Sequence, residues 1–202
     1  MDSYVVHIVD DEEPVRKSLA FLLTMIGFRV EVHESATSYL AAAPHSGKTC
    51  LVTDLRMPDM SGVDLLEKMK ERGCMVPAVV ISGHGDVPMA VAAMKAGAVD
   101  FIEKPFEDEV LVEAIKRAAS QFDETPARED VESLRARLNE LSERERQVLS
   151  GVVAGQPNKT IAHDLGISPR TVEVHRANIM AKMEARSLPG LVRMMMALDS
   201  TV

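Results

Sequence analysis

Five residues carry the chemistry of the first half of this chain, and each sits where an apolar run stops. Asp10 and Asp11 follow VVHIV, Asp54 follows CLVT, Ser82 ends AVVIS and Lys104 follows VDFIE. Three carboxylates, a hydroxyl and an ammonium make a site for a hard divalent cation, Mg2+ above all. That ion takes one or two carboxylates and completes its shell with water and phosphate oxygens. Asp54, inside LVTDLRMPDMSG, is then placed to attack phosphorus and form an acyl phosphate while Mg2+ and Lys104 neutralise the developing oxygens. Asp54 is the expected phosphate acceptor. Two adjacent acids about 4 Å apart repel by roughly 4 kcal/mol at an effective dielectric near 20, so the run Asp10, Asp11, Glu12, Glu13 asks for a cation. Glu12 and Glu13 have a simpler explanation as acids of a helix start, favoured by the helix dipole. A cis Lys104–Pro105 bond is expected, aiming the ammonium back at the pocket.

These residues converge only if the elements before them lie side by side. Val5–Val9, Arg29–His33, Cys50–Thr53, Ala78–Ser82 and Val99–Glu103 read as strands, with helical periodicity over 14–25, 35–42, 62–71, 87–95 and 108–119. Strictly alternating strands and helices predict an α/β fold, a doubly wound five-stranded parallel sheet with right-handed crossovers. Such sheets collect ligands beyond the carboxyl ends of their strands, which is where the five residues fall.

The chain has 202 residues, enough for two domains. Its formal charge of −8 argues against nucleic-acid binding until it is divided: residues 1–124 hold 12 Lys and Arg against 21 Asp and Glu, residues 125–202 hold 11 against 10. The halves differ in kind, at −9 and +1. No apolar run approaches the ~18 residues of a membrane span, and MDSYVVHIVDDEE has acids where a signal peptide carries positive charge, so a cytoplasmic address with no membrane partner is expected. Cys50 and Cys74 have neither C-x-x-C spacing nor a nearby His and read as reduced thiols.

The expected organisation is a domain over 1–121, a charged linker over 122–140 that becomes helical after Pro126, and a small all-α domain over 141–202. In that domain Ser142 and Glu145 form an S-x-x-E capping box, and Gly155 closes the helix they open. Asn158 caps a second helix ending near Leu165. Gly166 turns, Ser168 caps and Pro169 starts a third, longer helix. Helix, short turn, longer helix is the helix-turn-helix pattern. At 100° per residue, Val172, Ile179, Met180 and Met183 share the core side of the last helix. Arg170, Glu173, Val174, Ala177 and Asn178 take the other side, with Thr171 and Lys182 at its margin. Arg170, Thr171, Lys182 and, on the preceding helix, Lys159 suit phosphate contacts. Glu173, Val174 and Asn178 suit base edges.

The blocks VVHIVDDE, LVTDLRMPDMSG, ISGHGD and DFIEKPF resemble the motifs of two-component response regulator receivers, and SERERQVL through HRANIMAKM resembles the LuxR-type helix-turn-helix. The resemblance spans nearly the whole chain. It implies a flavodoxin-like receiver in which Asp54 accepts a phosphoryl group from a sensor histidine kinase. Asp10, Asp11, Asp54 and the carbonyl of Arg56 would bind Mg2+, Lys104 would pair with the phosphate, and Ser82 with Phe101 would form the switch pair. Ser82 stands where the family often has Thr. The wording is similar to the nitrogen-fixation regulators of that family, which implies promoter DNA of nitrogen-fixation or low-oxygen genes as target, and activation through RNA polymerase holoenzyme. Family and composition together point to a homodimer on phosphorylation, through the face of the fourth helix and fifth strand. Val91, Lys95 and Ala98 are its expected exposed patch, while Met89, Ala92, Ala93 and Met94 are expected in the core. Such a chain transfers phosphate to itself and turns over no external substrate. The enzymatic alternative, an aspartyl-phosphate phosphatase of the haloacid-dehalogenase kind, lacks its D-x-D-x-T/V motif here; a phosphorelay interaction module would not need the helix-turn-helix.

Overall fold

The computed structural model describes residues 4–42, 48–74, 76–83, 87–120 and 131–199. Residues 122–130 of the expected linker and the HGD of ISGHGD lie outside them. Two compact units are present: residues 1–85 with 95–126, and 86–94 with 127–202.

The sheet contains β1 (Val5–Val9), β2 (Arg29–His33), β3 (Thr49–Asp54), β4 (Ala78–Ser82) and β5 (Asp100–Glu103) in the order β2-β1-β3-β4-β5, all parallel. Between and after them run α1 (Glu13–Met25), α2 (Ala36–Ala42), α3 (Gly62–Glu71), α4 (Val87–Ala96) and α5 (Asp108–Ser120). Alternation along each strand sends Val6 and Ile8, Cys50 and Val52, and Val79 and Ile81 to one face. There they form a single core with Leu19 and Leu23 of α1 and Leu111 and Ile115 of α5. Val9 pairs in register with Thr53, and Asp54 with Ile81, so the ends of β1, β3 and β4 are level. The strand order reverses between β1 and β3, the switch point at which such sheets bind ligands.

The second domain has α6 (Val131–Asn139), α7 (Glu143–Val153), α8 (Asn158–Leu165), α9 (Pro169–Lys182) and α10 (Leu188–Asp199). Val148, Val152, Ile161, Val172, Ile179, Met183 and Leu191 close its core. The Ser142–Glu145 capping box opens α7. Gly166, at φ +64°, takes the left-handed turn after α8, and Ser168 caps α9 by accepting from the Thr171 amide at 3.0 Å. Asn158 departs from its expected role: Pro157 occupies the N-cap position without a side-chain cap, and the Asn158 side-chain Oδ1 accepts from the Arg176 guanidinium at 2.9 Å. α6 is more than a linker. Leu134 is buried, Leu138 packs on the core, and Arg137 pairs with Glu184 at 3.1 Å. α10 was not foreseen from the sequence.

The face expected for dimerisation is corrected in two of its three residues. Val91 and Ala98 are buried, at 2% and 5% exposure; Lys95 is exposed. Val91 lies one residue from Ala90 and less than a turn from Met94, both buried, so it belongs to the apolar stripe of α4. Of the expected core residues, Ala93 and Met94 are buried, while Met89 and Ala92 are only half-buried.

Candidate functional site

β1 delivers Asp10 and β3 delivers Asp54 side by side, and the residue after β5 reaches across to both. The Lys104 ammonium lies 2.7 Å from Asp54 Oδ1 and 3.3 Å from Asp10 Oδ2. The Lys104–Pro105 bond is cis, and the Lys104 amide donates to the Ser82 carbonyl at 2.8 Å. Asp10 is buried, and its Oδ1 accepts from the Glu12 amide at 2.8 Å. Asp54 Oδ2 accepts from the Arg56 amide at 2.6 Å. Gly62, at the start of α3, donates to the Leu55 carbonyl at 2.9 Å. A Cβ there would stand 2.5 Å from the Asp54 carbonyl oxygen, so α3 approaches the acceptor loop as closely as glycine permits.

Burial pushes the Asp10 carboxyl above its ordinary value, against the Glu12 amide and the Lys104 charge, and the Asp54 carboxylate pushes it the same way. Burial pulls the Lys104 ammonium down, but its bonds and charge interactions with Asp54 and Asp10 outweigh that and hold it above its ordinary value. One ammonium therefore serves two carboxylates, leaving surplus negative charge in a half-buried setting. Hard oxygen donors with surplus charge fit Mg2+.

The remaining members are placed less centrally. Asp11 is exposed and does not join Asp10 and Asp54 in a group of three acids with ligand atoms all within 4.8 Å; adjacent residues after a strand point apart. Ser82 is buried at the end of β4, and Phe101 is half-buried on β5. Arg56 is exposed. Glu12 stands at the N-cap of α1 without a side-chain cap bond, and Glu13 pairs with Lys17 at 2.6 Å.

On α9, Arg170, Glu173, Val174, Ala177 and Asn178 are exposed, and Lys159 is exposed on α8. Val174 is 55% exposed in mid-helix, an apolar side chain left facing solvent on the side of α9 expected to read bases. Thr171 and Lys182 are different. The Thr171 hydroxyl pairs with Ser168 at 2.8 Å. The Lys182 ammonium lies 2.7 Å from Glu145 and 3.3 Å from the Glu140 carbonyl. Lys182 thus clamps α9 to the start of α7 instead of standing free for a phosphate, a correction to the expected contact set. The bonds Lys182–Glu145 and Arg176–Asn158 escaped sequence reading because helical-wheel geometry ranks residues on one helix and carries no information about partners on another.

Comparison with known proteins agrees with this architecture. The response regulator receiver domain model matches residues 6–116, and that of the bacterial regulatory proteins of the luxR family matches residues 139–195. The transcriptional regulatory protein FixJ of Rhizobium meliloti is 67% identical over 198 residues, covering 98% of this chain and 97% of that protein. A crystal structure of FixJ-N, also 67% identical, covers 59% of this chain and 96% of that one with a TM-score of 0.57. Full-length FixJ from B. japonicum is 45% identical, with 97% of each chain covered and a TM-score of 0.53. No helix among the described residues is long and apolar enough to cross a membrane. The chain belongs to the response regulators that join a receiver domain to a luxR-family DNA-binding domain, and it is a FixJ-like transcription regulator.

Proposed function

We propose that this chain is a cytoplasmic phospho-switch that takes a phosphoryl group onto Asp54 from a FixL-like sensor histidine kinase and activates nitrogen-fixation or low-oxygen genes. The observation that carries this reading is the Lys104 ammonium held between Asp54 and Asp10 at the switch point of the sheet. An Asp54 oxygen attacks phosphorus, the bond to the kinase histidine breaks, and an acyl phosphate forms on Asp54. Lys104 is positioned to pair with the incoming oxygens. Asp10, Asp11, Asp54 and the Arg56 carbonyl would hold Mg2+, with the exposed Asp11 turning inward to join. Bound there, Mg2+ supplies positive charge to the phosphoryl oxygens. Slow hydrolysis of the acyl phosphate resets the switch, so the chain transfers phosphate to itself and is not a turnover enzyme.

Phosphorylation adds charge and acceptor oxygens. The Ser82 hydroxyl swings to donate to them, and Phe101 turns into the space it leaves. The rearranged α4–β5 face, with exposed Lys95, then pairs two copies. Dimerisation places two α9 helices on promoter DNA, where Arg170 and Lys159 hold phosphates and Glu173, Val174, Ala177 and Asn178 face base edges. Contact with RNA polymerase holoenzyme completes activation. The test is phosphate incorporation from a small phosphodonor, with and without Mg2+, for wild type and Asp54→Asn, together with analytical ultracentrifugation after beryllofluoride treatment. Mg2+-dependent labelling lost in Asp54→Asn and dimers with beryllofluoride are expected. Labelling that survives the substitution refutes the acceptor assignment, and monomers refute the dimer.

A further inference from the structure

On the sheet face opposite the α1–α5 core, three metal-ligating side chains meet for which the phospho-switch has no use. In the parallel register His7 of β1 lies opposite Glu31 of β2, and His33 is two residues further along the same strand. Alternation therefore projects all three from one face. His7 Nδ1 lies 3.1 Å from His33 Nε2 and 3.6 Å from Glu31 Oε2, and the three ligand atoms lie within 4.8 Å of one another.

We propose that His7, Glu31 and His33 form a cation site of the zinc class, separate from the acidic pocket. Ligands about 2.0–2.1 Å from a tetrahedral ion stand about 3.3 Å apart, and the 3.1 and 3.6 Å separations bracket that edge. Two imidazoles with one carboxylate suit Zn2+ and its neighbours, whereas Mg2+ prefers an all-oxygen shell. The two sites thus select different ions. The Tyr39 ring backs the site, edge-on to both imidazoles at 5.5 and 5.2 Å, and holds their planes. His7 is buried, while Glu31 is 57% exposed, so one side of the site is walled and the other opens to water for entry and for a fourth ligand. A bound ion ties the edge strand β2 to the central β1. The amide of Asp10 donates to the carbonyl of His33 at 3.4 Å, so the same tether steadies the backbone that presents Asp10 to the acceptor pocket.

The competing explanation of the 3.1 Å contact is a proton held between the two imidazoles. The full-length chain, stripped with chelator and kept in excess Mg2+, is titrated with Zn2+ by calorimetry and with Co2+ by absorption spectroscopy. Wild type is expected to bind one Zn2+ per chain, to show the intense d–d bands of tetrahedral Co2+, and to melt at a higher temperature when loaded. Glu31→Ala, at an exposed position, and His33→Gln each lose at least about tenfold in affinity, and Asp54→Asn binds Zn2+ as wild type does. Circular dichroism confirms that each variant is folded. A folded wild type that takes up no Zn2+ leaves the proton-sharing pair and overturns the site. Affinity unchanged in both Glu31→Ala and His33→Gln, or lost in Asp54→Asn, overturns it as well.

Discussion

Glu145→Gln tests whether the reading helix is aimed by a clamp at its far end. Glu145 Oε2 accepts from the Ser142 amide at 2.8 Å and from the Lys182 ammonium at 2.7 Å, with the carboxylate buried. The Lys182 bond, with the Ser142 amide, holds the Glu145 carboxyl down at about 2, against an ordinary value of 4.5. At about 1.4 kcal/mol per unit the full depression is worth roughly 3 kcal/mol, an upper bound. Lys182 is 38% exposed, and solvent screening of a half-open pair reduces the figure to about 1–2 kcal/mol. Because the folded value lies below the ordinary one, this stabilisation is complete above pH 4.5 and fades as pH falls toward 2. Gln keeps an oxygen for the Ser142 amide and loses the charge. The chain has no Trp, and both tyrosines, Tyr4 and Tyr39, lie in the receiver, so aromatic fluorescence does not report on the second domain. Hydrogen exchange read by mass spectrometry on peptides from α7 and α9 does. Exchange about 5–30 times faster at pH 7 is expected, narrowing toward wild type below pH 4.5, with Lys182→Met giving a similar acceleration. Unchanged exchange at neutral pH, or an equal difference at pH 3 and pH 7, refutes the clamp.

Gly62→Ala drives a methyl into the Asp54 carbonyl oxygen, 2.5 Å from the ideal Cβ. The overpacking costs about 1–3 kcal/mol, read as a lower midpoint in urea, and slows Asp54 labelling by displacing the acceptor loop. Asp10 titrates above its ordinary value, so its ionised form opposes folding as pH rises through the window between the unfolded and folded values. Asp10→Asn is therefore expected to stabilise the Mg2+-free chain at pH 7, measured as a higher melting temperature, while abolishing Mg2+-dependent labelling. Arg170→Ala and Lys159→Ala each weaken DNA binding uniformly across sequences and lower the salt slope by about 1, whereas Asn178→Ala costs about 1–3 kcal/mol of discrimination at one base pair; fluorescence anisotropy against salt and against substituted operators distinguishes the two.

The receiver was legible because period and punctuation agree in it. Runs such as VVHIV and CLVT are too short and β-branched for helices, and the acids that stop them mark one edge of a parallel sheet. Strand order sets the pairing of Asp10 with Asp54, and right-handed crossovers narrow that order without fixing it. Asp11 is exposed, and its orientation is not legible in the sequence because a loop residue after a strand carries no periodic constraint. The burial of Val91 is not legible in the sequence because an alanine-rich helix such as VPMAVAAMKA gives no polar stripe to mark its outward side, and Ala98 follows the helix, where no period applies. α10, LPGLVRMMMALD, carries Pro and Gly in its first turn, where Pro is well tolerated. Cross-strand and cross-helix pairs such as His7 with His33 or Asn158 with Arg176 depend on register and packing, which one-dimensional spacing does not encode.

The cations of the two domains are used in opposite ways. In the receiver a single ammonium is shared between two carboxylates, so the pocket is under-neutralised and favours a further positive charge. In the second domain Lys182 and Arg176 are engaged inside the fold by Glu145 and Asn158, which removes them from the surface facing DNA. Of the cations expected on the reading side, Arg170 and Lys159 remain exposed, a small phosphate-binding complement for a domain of net charge near +1. Since counterion release scales with the number of phosphates neutralised, one such domain binds weakly. In the proposed dimer, two tethered copies would gain the second half-site through effective concentration without any new contact, and control over pairing would then be control over DNA occupancy. Under the proposed function, a receiver phosphorylated at Asp54 would need to alter only the association of two chains, and not the reading surface of either, to switch a gene.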